Sequence, residues 1–147
     1  MRIEHWMKHP VHTIKPRDSI SHAREVMERH RINQLPVVVD GRLVGIVTDR
    51  DVRDAFPSVF EPPRRGRDAK SKSPDPHDVP VDSVMTANTL TVGPRDLIAD
   101  AARLMRRERI GAVPIVDGGR LVGILTRSDV LDAFVALAAS QAATPAG

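Results

Sequence analysis

Two kinds of hydrophobic spacing alternate along the chain, and they do so twice in the same order. Ile20, Ala23, Val26 and Met27 recur at helical intervals. Pro16 closes a short extended segment at Thr13-Ile14, and Asp18 or Ser19 can cap a helix that runs to about His30. Leu35-Pro36-Val37-Val38-Val39 then reads as a β-branched strand with its proline near the start, where a missing N–H is tolerated. Asp40-Gly41 signals a hairpin turn into a return strand over Leu43–Val47, and a short helix over Asp49–Ala55 follows. The second passage matches the first. Thr91-Val92 is extended, and Ile98, Ala101, Leu104 and Met105 mark a helical face. Asp117-Gly118-Gly119 marks the turn, Leu121–Leu125 the return strand, and Arg127 to about Ala139 a longer final helix. The predicted order is β-α-β-β-α, twice.

The likeness extends to the residues themselves. A shift of 78 positions aligns Met7–Phe56 with Met85–Phe134 without a gap, with 25 of 50 positions identical. One such unit is too small to bury a convincing core alone. The expected architecture is therefore α/β (α+β), two units packed about a pseudo-twofold axis into one module. Expected boundaries are 1–60 for the first unit, 61–81 for a Pro-rich linker, 82–140 for the second unit and 141–147 for a flexible tail. The stretch Pro57–Val81 holds six of the twelve prolines and reads as a semi-extended surface linker.

Composition narrows the chemistry. With no cysteine, there can be no disulfide, thiolate metal site or cysteine nucleophile. Aromatic residues make up 3% of the chain, so the core must rest on Val, Ile, Leu, Ala and Met, and base-stacking surfaces are scarce. The net charge of +3 is dispersed, and the basic linker residues Arg64, Arg65, Arg67, Lys70 and Lys72 are offset by Glu61, Asp68, Asp75 and Asp78. A nucleic-acid partner is set aside on these grounds. No run is long and apolar enough for a membrane span, and a soluble, cytoplasmic protein is expected. No nucleophile elbow, Walker sequence or His-Glu-x-x-His is present, so no catalytic residue and no metal site is assigned.

Each return strand ends in one signature, Gly45-Ile46-Val47-Thr48-Asp49-Arg50-Asp51 and Gly123-Ile124-Leu125-Thr126-Arg127-Ser128-Asp129. With the preceding Leu35-Pro36-Val37 and Val113-Pro114-Ile115, it resembles the CBS domain family, whose tandem pairs are called Bateman modules. Thr48-Asp49-Arg50-Asp51 leading to Pro57-Ser58-Val59-Phe60, then Val81-Asp82-Ser83-Val84-Met85, is similar to stand-alone bacterial pairs of the acetoin-utilization type.

The Thr-x-x-Asp element supports two readings, and both stay open here. It can be a capping box that needs no ligand. It can also present an Asp to ribose hydroxyls beside a helix N-terminus suited to phosphate. The resemblance implies clefts between the units that bind an adenosine compound (AMP, ADP, ATP or S-adenosylmethionine), with no cofactor required. It implies that Asp51 and Asp129 contact ribose and that Thr48 and Thr126 lie near phosphate. It places adenine against Thr13, Ile14, Gln34, Leu35 and Pro36 in the first copy, and Thr91, Val92, Ala112, Val113 and Pro114 in the second. Arg50 and Arg127 remain as cations beside a phosphate. The copies differ at Asn33-Gln34 against Gly111-Ala112 and at Asp49-Arg50 against Arg127-Ser128, so two unequal sites are expected. A non-catalytic regulatory module follows from the resemblance, with a homodimer and an effector protein as its partners. The rival reading is a ligand-free dimerisation scaffold.

Overall fold

A computed structural model describes residues 1–55 and 75–143. Its helices and strands, in chain order, are α1 (Ile20–His30), β1 (Gln34–Val39), β2 (Arg42–Thr48), α2 (Asp49–Ala55), α3 (Ile98–Glu108), β3 (Ala112–Asp117), β4 (Arg120–Thr126) and α4 (Arg127–Ala143). Short 3-10 turns at Ile3–His5 and Val81–Ser83 complete the set. The protein is thus mixed α/β, with the two helix–hairpin–helix repeats that the hydrophobic spacing predicts.

The compact units are not the sequence repeats. One, the central unit, is His12–Thr89; the other, the terminal unit, joins Met1–Val11 to Leu90–Gly147. The arm that precedes each repeat therefore belongs to the unit built on the other repeat. In the terminal unit, the Ile3 amide donates to the Asp96 carbonyl (2.9 Å) and the Ile98 amide to the Met1 carbonyl (3.0 Å). Ile3 is fully buried beside Ile98, Ala101, Ile115, Leu125 and Ala133. In the central unit, the Ile20 amide donates to Val79 (3.0 Å) and the Val81 amide to Asp18 (2.8 Å). Val81 is fully buried among Ile20, Met27, Leu35 and Val47.

Of the expected linker, residues 61–74 lie outside the described residues, as does the Pro57–Phe60 run. Val79, Pro80 and Val81 are part of a folded arm: the two valines complete a core that one helix and one hairpin leave open, and Pro80 bridges to Ser19. The expected tail also changes at its start: α4 continues through Ala143, in keeping with its alanine-rich sequence, and 144–147 lie outside the described residues.

Each hairpin turns where predicted. Asp40 and Gly41 have φ of 50° and 79°, and Gly118 and Gly119 have 58° and 83°, the paired positive values of a turn that follows strand twist. The first strand of each repeat shrinks to a single parallel bridge, Ile14 with Val37 and Val92 with Ile115. The prolines fit their strands for a definite reason. Ile46, opposite Pro36, sends both backbone groups away from it to Thr86 (3.0 and 2.9 Å), so no proline N–H is needed. Ile124, opposite Pro114, does the same with Lys8 (3.0 and 2.8 Å). Ser19 caps α1 by accepting from the His22 amide, whereas its counterpart Leu97 leaves α3 without a side-chain cap. Among the described residues, no helix is long and apolar enough to cross a membrane.

Candidate functional site

Both Thr-x-x-Asp elements close as reciprocal caps at a strand-to-helix corner. In the central unit the Thr48 amide donates to Asp51 Oδ2 (2.8 Å) and the Asp51 amide donates to Thr48 Oγ1 (3.1 Å). In the terminal unit the Thr126 amide and hydroxyl donate to Asp129 Oδ2 (2.7 and 2.9 Å), and the Asp129 amide reaches Thr126 Oγ1 at 3.4 Å. The i, i+3 spacing brings carboxylate and amide together across one turn, and this satisfies N–H groups that a helix start otherwise leaves unpaired.

The second carboxylate oxygen sets the two corners apart. Asp51 is half-buried, and its Oδ1 has no partner among the described residues. Asp129 is buried, and its Oδ1 lies 2.5 Å from Lys8 Nζ, which also donates to Thr126 Oγ1 at 3.2 Å. The sequence reading missed Lys8. Its one trace there is a break in the repeat, where Lys8 aligns with Thr86.

The remaining predicted residues gather on β1 and β3. The Ile14 amide donates to the Pro36 carbonyl (3.1 Å), and Gln34 lies opposite Thr48 in the hairpin register. In the terminal unit the Val92 amide donates to the Pro114 carbonyl (3.3 Å), and Ala112 lies opposite Thr126. Each unit thus brings its own set to the end of the hairpin from which the Asp-bearing helix starts. Within the sets the side chains differ in access. Leu35, Pro36, Val113 and Pro114 are fully buried, and Ile14 and Ala112 nearly so, so these side chains serve as core. Gln34, Thr48, Val92 and Thr126 are half-buried, and Thr13, Arg50, Thr91 and Arg127 are exposed.

The two predicted cations are not equivalent. Arg50 lies 3.9 Å from Asp54, a turn away on α2. Arg127 occupies the position of Asp49 in the repeat and stacks against Gly111, where an added Cβ would come within 3.6 Å of its guanidinium carbon. Arg127 also borders a groove of about 440 Å³ between α3 and α4, with Arg106 and Arg109 and no acidic lining residue. The matching groove in the central unit, about 620 Å³, mixes Arg24, Arg31 and Arg53 with Glu28, Asp49 and Asp75. Among the described residues, no three potential metal ligands cluster. His30 stacks on His12 with ring centroids 3.7 Å apart. Desolvation, followed by the charges of His12 and Arg29, holds its imidazole below the usual histidine value.

With this geometry in place, comparisons with known proteins identify the family. The CBS domain model matches residues 3–58 and 81–136, so the chain belongs to the CBS domain family and carries two copies. It is 35% identical over 130 residues to inosine-5′-monophosphate dehydrogenase of Korarchaeum cryptofilum, covering 88% of this chain but 23% of that enzyme. It is 35% identical to a CBS domain-containing protein of Dictyostelium discoideum, a match covering 90% of each chain. Among solved structures, one from Vibrio cholerae assigned to acetoin utilization (AcuB) superposes with a TM-score of 0.80 at 26% identity, covering 99% of this chain and 98% of that one. CBSX2, solved in complex with AMP, gives 0.75 at 26% identity over 93% of this chain and 98% of that one. The CBS pair of protein MJ0100, solved with 5′-methylthioadenosine and S-adenosyl-L-methionine, gives 0.73 at 27% identity over 91% and 99%.

Proposed function

We propose that this chain is a non-catalytic regulatory module that binds an adenosine-containing ligand of the AMP, ADP, ATP or S-adenosylmethionine class, with Asp51 as the ribose-reading carboxylate. One observation carries the reading: Asp51 is fixed by the Thr48 amide through one oxygen and keeps the other free of partners among the described residues. A carboxylate oriented in this way can accept from vicinal hydroxyls without any rearrangement of the helix start. The compounds in complex with CBSX2 and MJ0100 share adenine and ribose, which supports the class. Half-buried Gln34 stands opposite Thr48 at the end of the hairpin, above a core that includes Leu35 and Pro36, and supplies the polar edge that a base slot needs. Ligand binding would bias the packing of the module, and a cytoplasmic effector protein would read the change. A homodimer fits the exposed Leu131, Phe134, Val135 and Leu137 on α4.

The scaffold reading is favoured by a different observation, that both Thr-x-x-Asp corners close on themselves as caps. A thermal-shift panel of AMP, ADP, ATP, S-adenosylmethionine and reduced nicotinamide dinucleotide separates the two. Saturable stabilisation by at least one compound, lost in Asp51→Asn, is expected; at a hundredfold excess over Kd it amounts to about 2.7 kcal/mol. A flat response to every compound from a folded dimer leaves the scaffold.

A further inference from the structure

Lys8 and Thr86 hold the same place in the two units. Each pairs both backbone groups with the residue after the signature glycine, Lys8 with Ile124 (2.8 and 3.0 Å) and Thr86 with Ile46 (2.9 and 3.0 Å). A methionine sits over that glycine in both cases. An added Cβ would fall 2.5 Å from Met7 Sδ at Gly123 and 2.6 Å from Met85 Sδ at Gly45. The arms are thus built alike, and the side chain at the end of each decides what the neighbouring carboxylate meets. Thr86 is neutral and brings no charge to Asp51. Lys8 reaches Asp129, takes the oxygen that Thr126 leaves over, and bridges to Thr126 Oγ1.

From this we propose that Lys8 is a built-in occupant of the Asp129 carboxylate, making the two adenosine sites unequal: Asp51 fills first, and the Asp129 site is held back. The inference rests on the adenosine reading above and adds which site binds and why. A ribose hydroxyl arriving at Asp129 must displace an ammonium from a carboxylate that is 7% exposed. A charge-assisted bond is roughly twice as strong as a neutral one, and a buried carboxylate stripped of its cation is left poorly compensated. Lys8 cannot clear the site by moving its backbone, which is tied to Ile124. Its side chain, 57% exposed, can swing into solvent, so the block is graded rather than absolute. Two sites made unequal in this way would give a response spread over a wider range of ligand concentration than two equal sites.

Isothermal titration of the full chain with AMP tests this, using wild type, Lys8→Thr, Lys8→Arg, Asp51→Asn and Asp129→Asn. Lys8→Thr installs the residue that the other unit already carries, and Lys8→Met is a second route to the same loss of charge. Expected for wild type is one AMP per chain, lost in Asp51→Asn and kept in Asp129→Asn, with any second site at least about tenfold weaker, or ~1.4 kcal/mol. Lys8→Thr should bring a second AMP to within a few-fold of the first, and the added Asp129→Asn change should abolish it. Lys8→Arg should behave as wild type. Two equal sites in wild type, an unchanged count in both Lys8→Thr and Lys8→Met, or weaker AMP binding at Asp129 once the lysine is gone would overturn the inference and leave the adenosine reading standing. No AMP bound by any variant would overturn the inference, and a flat response to every compound of the thermal-shift panel would overturn the adenosine reading with it.

Discussion

Substitutions at Thr48 and Asp51 can separate capping from the proposed ligand contact. As a cap, Thr48 accepts from the Asp51 amide, so Thr48→Ala should cost about 1 kcal/mol of stability in a urea titration. Asp51→Asn keeps an acceptor for the Thr48 amide and should stay within about 0.5 kcal/mol of wild type, while ligand stabilisation disappears. An equal loss of stability in both variants with ligand response intact would make the corner a cap alone. Thr-x-x-Asp was legible in the sequence because its hydrogen bonds span three residues. Lys8–Asp129 was not, because the pair spans 121 residues and local spacing carries no trace of it. The buried state of Leu35, Pro36, Val113 and Pro114 was half-legible: strand and core could be read from their residue types, but not which edge of the strand is left for a ligand.

At the scale of elements, the helices and hairpins followed from periodicity and from the Asp-Gly and Gly-Gly turns, which admit the positive φ values observed. The arms did not follow. Val79-Pro80-Val81 lies in a Pro-rich stretch whose composition suggests a linker, yet the Ser19–Pro80 bridge and the burial of Val81 fold it against α1. Ile3 is likewise core, although the N-terminal sequence shows only isolated apolar positions. What seats each arm is the bare Cα of a glycine. An alanine at position 45 would put its Cβ 2.6 Å from Met85 Sδ and 2.9 Å from the Thr86 carbonyl oxygen. The sulfur can swing aside, but the carbonyl is held in the Ile46 pairing. Gly45→Ala should therefore destabilise by about 1–3 kcal/mol on thermal denaturation. A neutral result would mean that the arm is not held at this point.

At the scale of the whole molecule, duplication explains both the sameness and the differences. Identity between the copies is concentrated in the strand–turn–strand segments and the Thr-x-x-Asp corners, which any copy needs in order to fold. Differences at Asn33/Gly111, Asp49/Arg127 and Lys8/Thr86 change the charge and space around those corners without touching the frame. The arms that cross from one repeat to the other unit let the sequence before one copy set the surroundings of the other copy's Thr-x-x-Asp corner, a relation that no reading of a single repeat could supply.

The central claim is that a ribose diol is read by the Asp51 carboxylate. Competition between AMP and 2′,3′-dideoxy-AMP for the wild-type protein tests it most directly, because the two differ only in the hydroxyls. Losing the donors should weaken binding by roughly 10- to 100-fold, the cost of leaving a carboxylate oxygen unpaired in the complex. Equal affinity of the wild-type protein for both nucleotides would contradict the account.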